Sequence, residues 1–291
     1  MILGKTYFNG TENEKLYLGN TLIYSGVNID FVISVKTDNS GTSNNNQFTI
    51  PTVAGNLYNV TTSDGQILNG NTGDLTITFP SAGTYDINIS GDFKQILFNN
   101  GGDKGKLLDV KNWGNIAWAS FENSFSGCYS LSNYSATDAP DLSNVTNMNG
   151  AFQKMDLFNS NINSWDVSNV TDMGGAFYDT DSFNQDLSSW NVSNVTSMRL
   201  MFTNFGSSAF NQNLSSWDIN QVTNMQDFLK GATLSTINYD ATLISWANQI
   251  PLSYNGTLNF GSSVYTLGGA AATARAALVS DVGAVSDGGG I

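Results

Sequence analysis

Aspartates recur in phase along the middle of this 291-residue chain. Asp141, Asp166 and Asp218 each stand four residues before a valine, and Asp172, Asp181 and Asp186 fall between them. A row of calcium sites would need such carboxylates, because Ca²⁺ requires several clustered oxygens. None of them sits in an Asp-x-Asp-x-Asp-Gly loop, so the sequence predicts turn capping and no metal or other cofactor. The Asn-Val-Thr triplets at Asn144, Asn169 and Asn194 match glycosylation acceptors. Their fixed recurrence predicts instead a hydrogen-bonded ladder running from one repeat to the next. Trp165, Trp190 and Trp217 could offer a sugar-stacking column, but they keep an apolar phase and are predicted to be core.

Other catalytic chemistries lack parts. The chain has no histidine, which removes Ser-His-Asp and Cys-His nucleophiles, His-ligated zinc and histidine bases together. Cys128 is the single cysteine, cannot form an internal disulfide, and is expected to be buried packing. The glycine-rich run at 101–106 lacks phosphate-loop spacing. No pair of carboxylates suggests a glycan-cleaving cleft. The chain is expected not to be an enzyme.

The elements that hold these residues repeat. Residues 144–148 read NVTNM, 169–173 NVTDM, 194–198 NVTSM and 221–225 QVTNM. Val145, Val170, Val195 and Val222 are 25, 25 and 27 residues apart, each followed by a methionine at +3 and by Phe152, Phe177, Phe202 or Leu229 at +7. Trp118, Phe121 and Phe125 keep the same spacing and extend the array upstream, and 238–246 reads as a degenerate sixth turn. A fixed period of this length implies a solenoid of stacked units. The apolar side chains of one unit cannot offset the backbone entropy of ordering it, so stability must come from neighbours.

The predicted fold is α+β and β-rich. Residues 1–27 form an N-terminal β module, with strands at 15–18 and 21–24 around a Gly19-Asn20 hairpin turn. Residues 28–100 form a β-sandwich with strands at 31–36, 47–50, 57–61, 75–79, 84–89 and 95–98. Residues 101–250 form the solenoid. In its units, 183–190 is expected as a strand of a short parallel sheet and 195–202 as a short helix. Residues 251–291 form a terminal cap, with a strand at 257–260 and an alanine-rich helix at 269–279 laid over the open end.

Residues 107–114, 137–148 and 182–198 resemble the BspA-like leucine-rich-repeat surface proteins, as does the ending from Asn238 to Arg275. Residues 63–65 and 79–89 resemble PKD-type β-sandwiches, without the Trp-Gly that usually precedes Asp-Gly. The two Leu-Gly…Tyr phrases of residues 1–27 are similar to short N-terminal modules of phage tail and capsid-associated proteins. The resemblance implies a non-catalytic, surface-displayed module for adhesion or protein interaction.

Charge and hydropathy bound the partners. With 24 acidic against 11 basic residues the net charge is −13, which disfavours nucleic acid. No apolar run is long enough to span a membrane, and residues 1–15 carry no export signature. The expectation is a phage virion structural protein, a head or tail fibre or decoration made in the host cytoplasm and released by lysis. Residues 1–27 would dock it to other virion proteins, as a homo-oligomer, and the repeats would meet a host-surface glycan or protein. The exposed polar positions Asp186, Ser188, Asn213 and Ser215 are the predicted binding face. The rival expectation is an exported bacterial cell-surface adhesin.

Overall fold

The computed structural model describes residues 2–8, 11–18, 21–24 and 30–291, with side chains from residue 30 onward. It is β-rich, with antiparallel sheets and, among the described residues, two α-helices. β1 (Ile2–Phe8), β2 (Thr11–Leu18) and β3 (Thr21–Tyr24) form an antiparallel three-stranded sheet. Leu18 pairs with Thr21, the register a two-residue connection requires. Gly19 and Asn20 themselves lie outside the described residues. β1 was not expected; it supplies the third strand that a marginal hairpin needs.

The next seven strands share one core. β4 (Phe31–Lys36), β5 (Gln47–Ile50), β6 (Tyr58–Thr62), β7 (Ile67–Asn71), β8 (Leu75–Thr78), β9 (Thr84–Gly91) and β10 (Leu107–Asn112) make a five-stranded sheet, β10-β4-β9-β6-β7, and a two-stranded sheet, β5-β8. Period-two alternation sends Phe48, Ile50, Val60, Ile77, Ile87 and Ile89 inward. Two strands depart from the sequence reading. Residues 95–98 form no strand, only an isolated Thr52–Ile96 bridge, before Asn99 and Asn100 turn at positive φ. β7, with Gly70 at φ +70, is an edge strand whose composition reads as a turn. The sheet also reaches past residue 100: β10 pairs with β4.

From Trp118 onward the units stack through the backbone. Met148, Gly150, Phe152 and Lys154 donate to the carbonyls of Asp172, Gly174, Ala176 and Tyr178, each at 2.8 Å. The amides of Ala151 and Gln153, between them, turn back to Met148 and Gly150 at 3.1 and 3.3 Å. The same scheme links Phe121–Gly127 to the second unit, Met173–Asp179 to the fourth and Met198–Asn204 to the fifth. Alternate amides therefore serve the neighbouring unit and the local turn, which accounts for the buried polar backbone. Switching direction every second residue goes with left-handed backbone at Asn123, Gly150, Gly175, Leu200 and Asp227, at φ +51 to +62, and in four of these units again four residues on, at Gly127, Lys154, Asp179 and Gly231.

Two expectations about these units are corrected. Residues 195–202 are not a helix. Their i, i+3, i+7 apolar spacing arises from three-residue turns between cross-unit rungs, with Val195, Met198 and Phe202 pointing inward. Nor are residues 183–190 a strand, because their amides bond to side chains, Asn184 N to Asn159 Oδ1 at 2.9 Å and Ser189 N to Asn163 Oδ1 at 3.1 Å, or turn back three residues, Phe183 N to Thr180 O and Trp190 N to Leu187 O. The parallel bridges run instead through Asn147, Asp172, Ser197 and Asn224.

Ring columns fill the interior. Phe125, Phe152, Phe177 and Phe202 stack at 5.5–5.8 Å between centroids, beside a second column of Phe158, Phe183 and Phe210. At the sandwich end, Phe31, Phe93, Trp113, Trp118 and Phe121 interlock, so sandwich and stack share one continuous core.

The C-terminal residues continue the stack. α1 (Thr236–Ala247) is capped by Ser235 and buries Tyr239, Leu243 and Trp246 along one face. The degenerate sixth turn is thus helical while its tryptophan stays in column. β11 (Gly256–Asn259) receives the Leu229 amide at 3.0 Å. α2 (Ala270–Val282) leads into β12 (Gly283–Ser286), parallel to β11. α2 does not lie over the end as expected. It packs beside α1, and β12 is the last rung. Asp287 locks this unit, accepting from Tyr239 Oη at 2.6 Å and from Arg275 Nε at 2.6 Å.

Candidate binding faces of the repeat stack

The recurrent carboxylates and amides close turns. Asp141, Asp166, Asp186, Asn213 and Asp218 each accept the backbone amide two residues on, at 2.9–3.0 Å. The partners are Ser143, Ser168, Ser188, Ser215 and Asn220. These bonds hold the carboxyls of Asp141 and Asp166 below their ordinary range. Among the described residues no group of three or more His, Cys, Asp or Glu is placed to hold a metal ion.

The four predicted face residues form two such turns in consecutive units. Asp186 accepts from both the amide and the hydroxyl of Ser188, and Asn213 from the amide of Ser215. Asp186, Ser188 and Asn213 are exposed, and Ser215 is partly covered. Asn163 Nδ2 also reaches Asp186 at 3.3 Å. Apart from that contact with the preceding unit their side-chain hydrogen bonds are local, so they make an ordered polar edge and converge on no reacting point.

The Asn-Val-Thr positions tie one unit to the next. Asn169 and Asn194 donate side-chain N–H groups to Ser143 O and Ser168 O at 3.0 and 2.7 Å. Thr171, Thr196 and Thr223 hydroxyls donate to the threonine carbonyl one unit back at 3.1–3.2 Å. A second, deeper ladder went unread in the sequence. Asn159 and Asn184 Oδ1 accept the Asn184 and Asn211 amides, and Asn211 Oδ1 accepts that of Ser235. Its signal was the asparagine after each inward phenylalanine.

The tryptophans are core, 0–3% exposed. Trp190, Trp217 and Trp246 each donate Nε1–H to a carbonyl of the preceding unit, Ile162, Leu187 or Leu214, at 3.0–3.1 Å. They offer no platform to a ligand. Cys128 is fully buried and burial pushes its thiol well up, away from reactivity.

Among the described residues one ion pair is deeply buried, and it is structural. Lys106 Nζ donates to the carbonyls of Ser43, Asn44 and Gln47 and to Ser43 Oγ, 3.8 Å from Asp103 Oδ1. Asp103 accepts the amides of Thr42, Ser43 and Thr49. Burial alone would raise its carboxyl; these donors and Lys106 hold it below the ordinary range. The ammonium fills a carbonyl cage and fixes the loop beside the first repeat, where Ser130 Oγ meets Gly105 O at 2.8 Å.

No described helix is long and apolar enough to cross a membrane. No curated protein and no solved structure matches the chain. Residues 119–242, which hold the repeat units, match the family described as "Mycoplasma protein of unknown function, DUF285".

Proposed function

We propose that the protein is a non-enzymatic attachment protein: a BspA-like, leucine-rich-repeat-type solenoid carried on a PKD-like sandwich and displayed on a phage virion. In this reading the N-terminal sheet docks to other virion proteins and the repeats meet the host surface. The supporting observation is the stack itself. Its polar groups are spent on joining units, its core is continuous with the sandwich, and its outer faces are ordered and repetitive. Such a body is built to present a surface, not to move protons or electrons. The resemblance of residues 1–27 to phage particle modules is what supports a virion as the site of display.

A second reading is an exported bacterial cell-surface adhesin, favoured by the bacterial genus in the name of the family that the repeats match. Mass spectrometry and antibody-labelled electron microscopy of gradient-purified particles from the source culture separate the two. Label at a fixed particle position is expected. Label confined to cell envelopes would overturn the virion reading in favour of the adhesin.

A further inference from the structure

The side of the stack at the end of the cross-unit backbone rungs, around Tyr178 and Asn204, differs from the turn edge in carrying aromatic rings that the core does not use. Phe205 is 68% exposed. Its ring meets that of Tyr178, one unit earlier, edge to face at 5.8 Å, and Lys230 Nζ lies 5.9 Å from its centroid. The Phe205 amide is pinned by Asp179 Oδ1 at 2.9 Å, so the ring projects from ordered backbone.

Two open grooves flank this ridge. One, of about 440 Å³, is lined by Lys104, Lys154, Asp156, Asp179, Asp181 and Phe205. The other, of about 450 Å³, is lined by Asn149, Gln153, Tyr178, Ser197, Arg199 and Asn224. The second exists because Gly174 and Gly175 stand where the next unit has Arg199 and Leu200, leaving no side chain over the floor. Asn149 Nδ2 lies only 2.6 Å from where a Gly174 Cβ would sit.

Charge selects the occupant. The chain is strongly acidic at −13, yet the two linings together hold three carboxylates and three cations, Lys104, Lys154 and Arg199. A locally neutral surface in an acidic protein neither steers a basic peptide nor repels an uncharged ligand. The rest of the lining is amide, hydroxyl and aromatic face. That is the complement of a molecule with hydroxyls around its rim and C–H groups on its flat side.

We propose that this face binds a neutral oligosaccharide, one ring lying on the Phe205–Tyr178 ridge and neighbouring residues extending into the two grooves. The proposal deepens the attachment reading and rests on it. The test is a printed array of neutral hexose and N-acetylhexosamine oligosaccharides, acidic oligosaccharides and a lysine-rich peptide, probed with the full chain. Any hit is followed by calorimetric titration. Binding to neutral oligosaccharides is expected, weakened about tenfold by Phe205→Ala and retained by Phe205→Tyr. Asp141→Asn, an exposed turn cap outside both grooves and outside the predicted face at 186–215, should leave it unchanged. Since Phe205 is exposed, both variants should keep the parent melting temperature. The proposal is overturned if no neutral oligosaccharide binds, if only charged probes bind, or if Asp141→Asn weakens binding while Phe205→Ala does not. None of those outcomes touches the particle-labelling test of attachment.

Discussion

Single residues in this stack are constrained by backbone handedness as much as by burial. Leu200 occupies the left-handed position that glycine takes in the second and third units. A branched side chain at φ +58 is disfavoured there by roughly 1 kcal/mol. Leu200→Gly is therefore expected to raise stability by about 1 kcal/mol in chemical denaturation; an equal loss would show that Leu200 packing outweighs its strain. Trp190 makes the opposite case. Its buried indole N–H joins two units, so Trp190→Phe is expected to cost about 1 kcal/mol by removing one of the two hydrogen bonds that the Ile162 carbonyl accepts, the other coming from the Trp165 amide. A neutral outcome would mean that the tryptophan acts by volume alone.

At the scale of elements, two buried polar centres hold the ends. Lys106→Met leaves Asp103 uncompensated in the loop that joins sandwich to stack, and is expected to cost about 3–5 kcal/mol. Thermal melts of the two proteins compare this directly. Asp287 closes the far end. Burial would raise its carboxyl, but Arg275, Tyr239 and the Gly289 amide outweigh that and hold it below the ordinary value of 3.8. A lowered folded pKa means that its contribution is complete above the unfolded value and fades as pH falls through the folded one. The α1–α2–β12 region is thus expected to loosen on acidification below pH about 4, as followed by amide exchange. Asp287→Asn should be weaker at neutral pH and lose that part of the acid dependence. An unchanged acid profile in Asp287→Asn would assign the effect elsewhere.

Much of the whole molecule was legible in the sequence. The Val, Met, Phe and Trp phases marked the core, because every unit must bury the same columns. The hairpin, most sandwich strands and the turn-capping aspartates were legible for equally local reasons. What escaped was conformation that the pattern does not encode. Three-residue turns mimic helical spacing in 195–202, and side-chain ladders mimic strand composition in 183–190. The ridge at Phe205 and the notch at Gly174 break the repeat, so a reading based on recurrence passes over them.

The central claim is that alternate amides of every unit bond to its neighbour and make the stack one cooperative body with the sandwich. Native-state amide hydrogen exchange tests it most directly. Met148, Gly150, Phe152 and Lys154, and their counterparts Met173, Gly175, Phe177 and Asp179, should exchange only with global unfolding, at one common free energy. Asn184 and Ser189, bonded to side chains, should exchange sooner. Fast exchange at the first set, or separate unfolding free energies for successive units, would contradict the cross-unit ladder and the rigid face built on it.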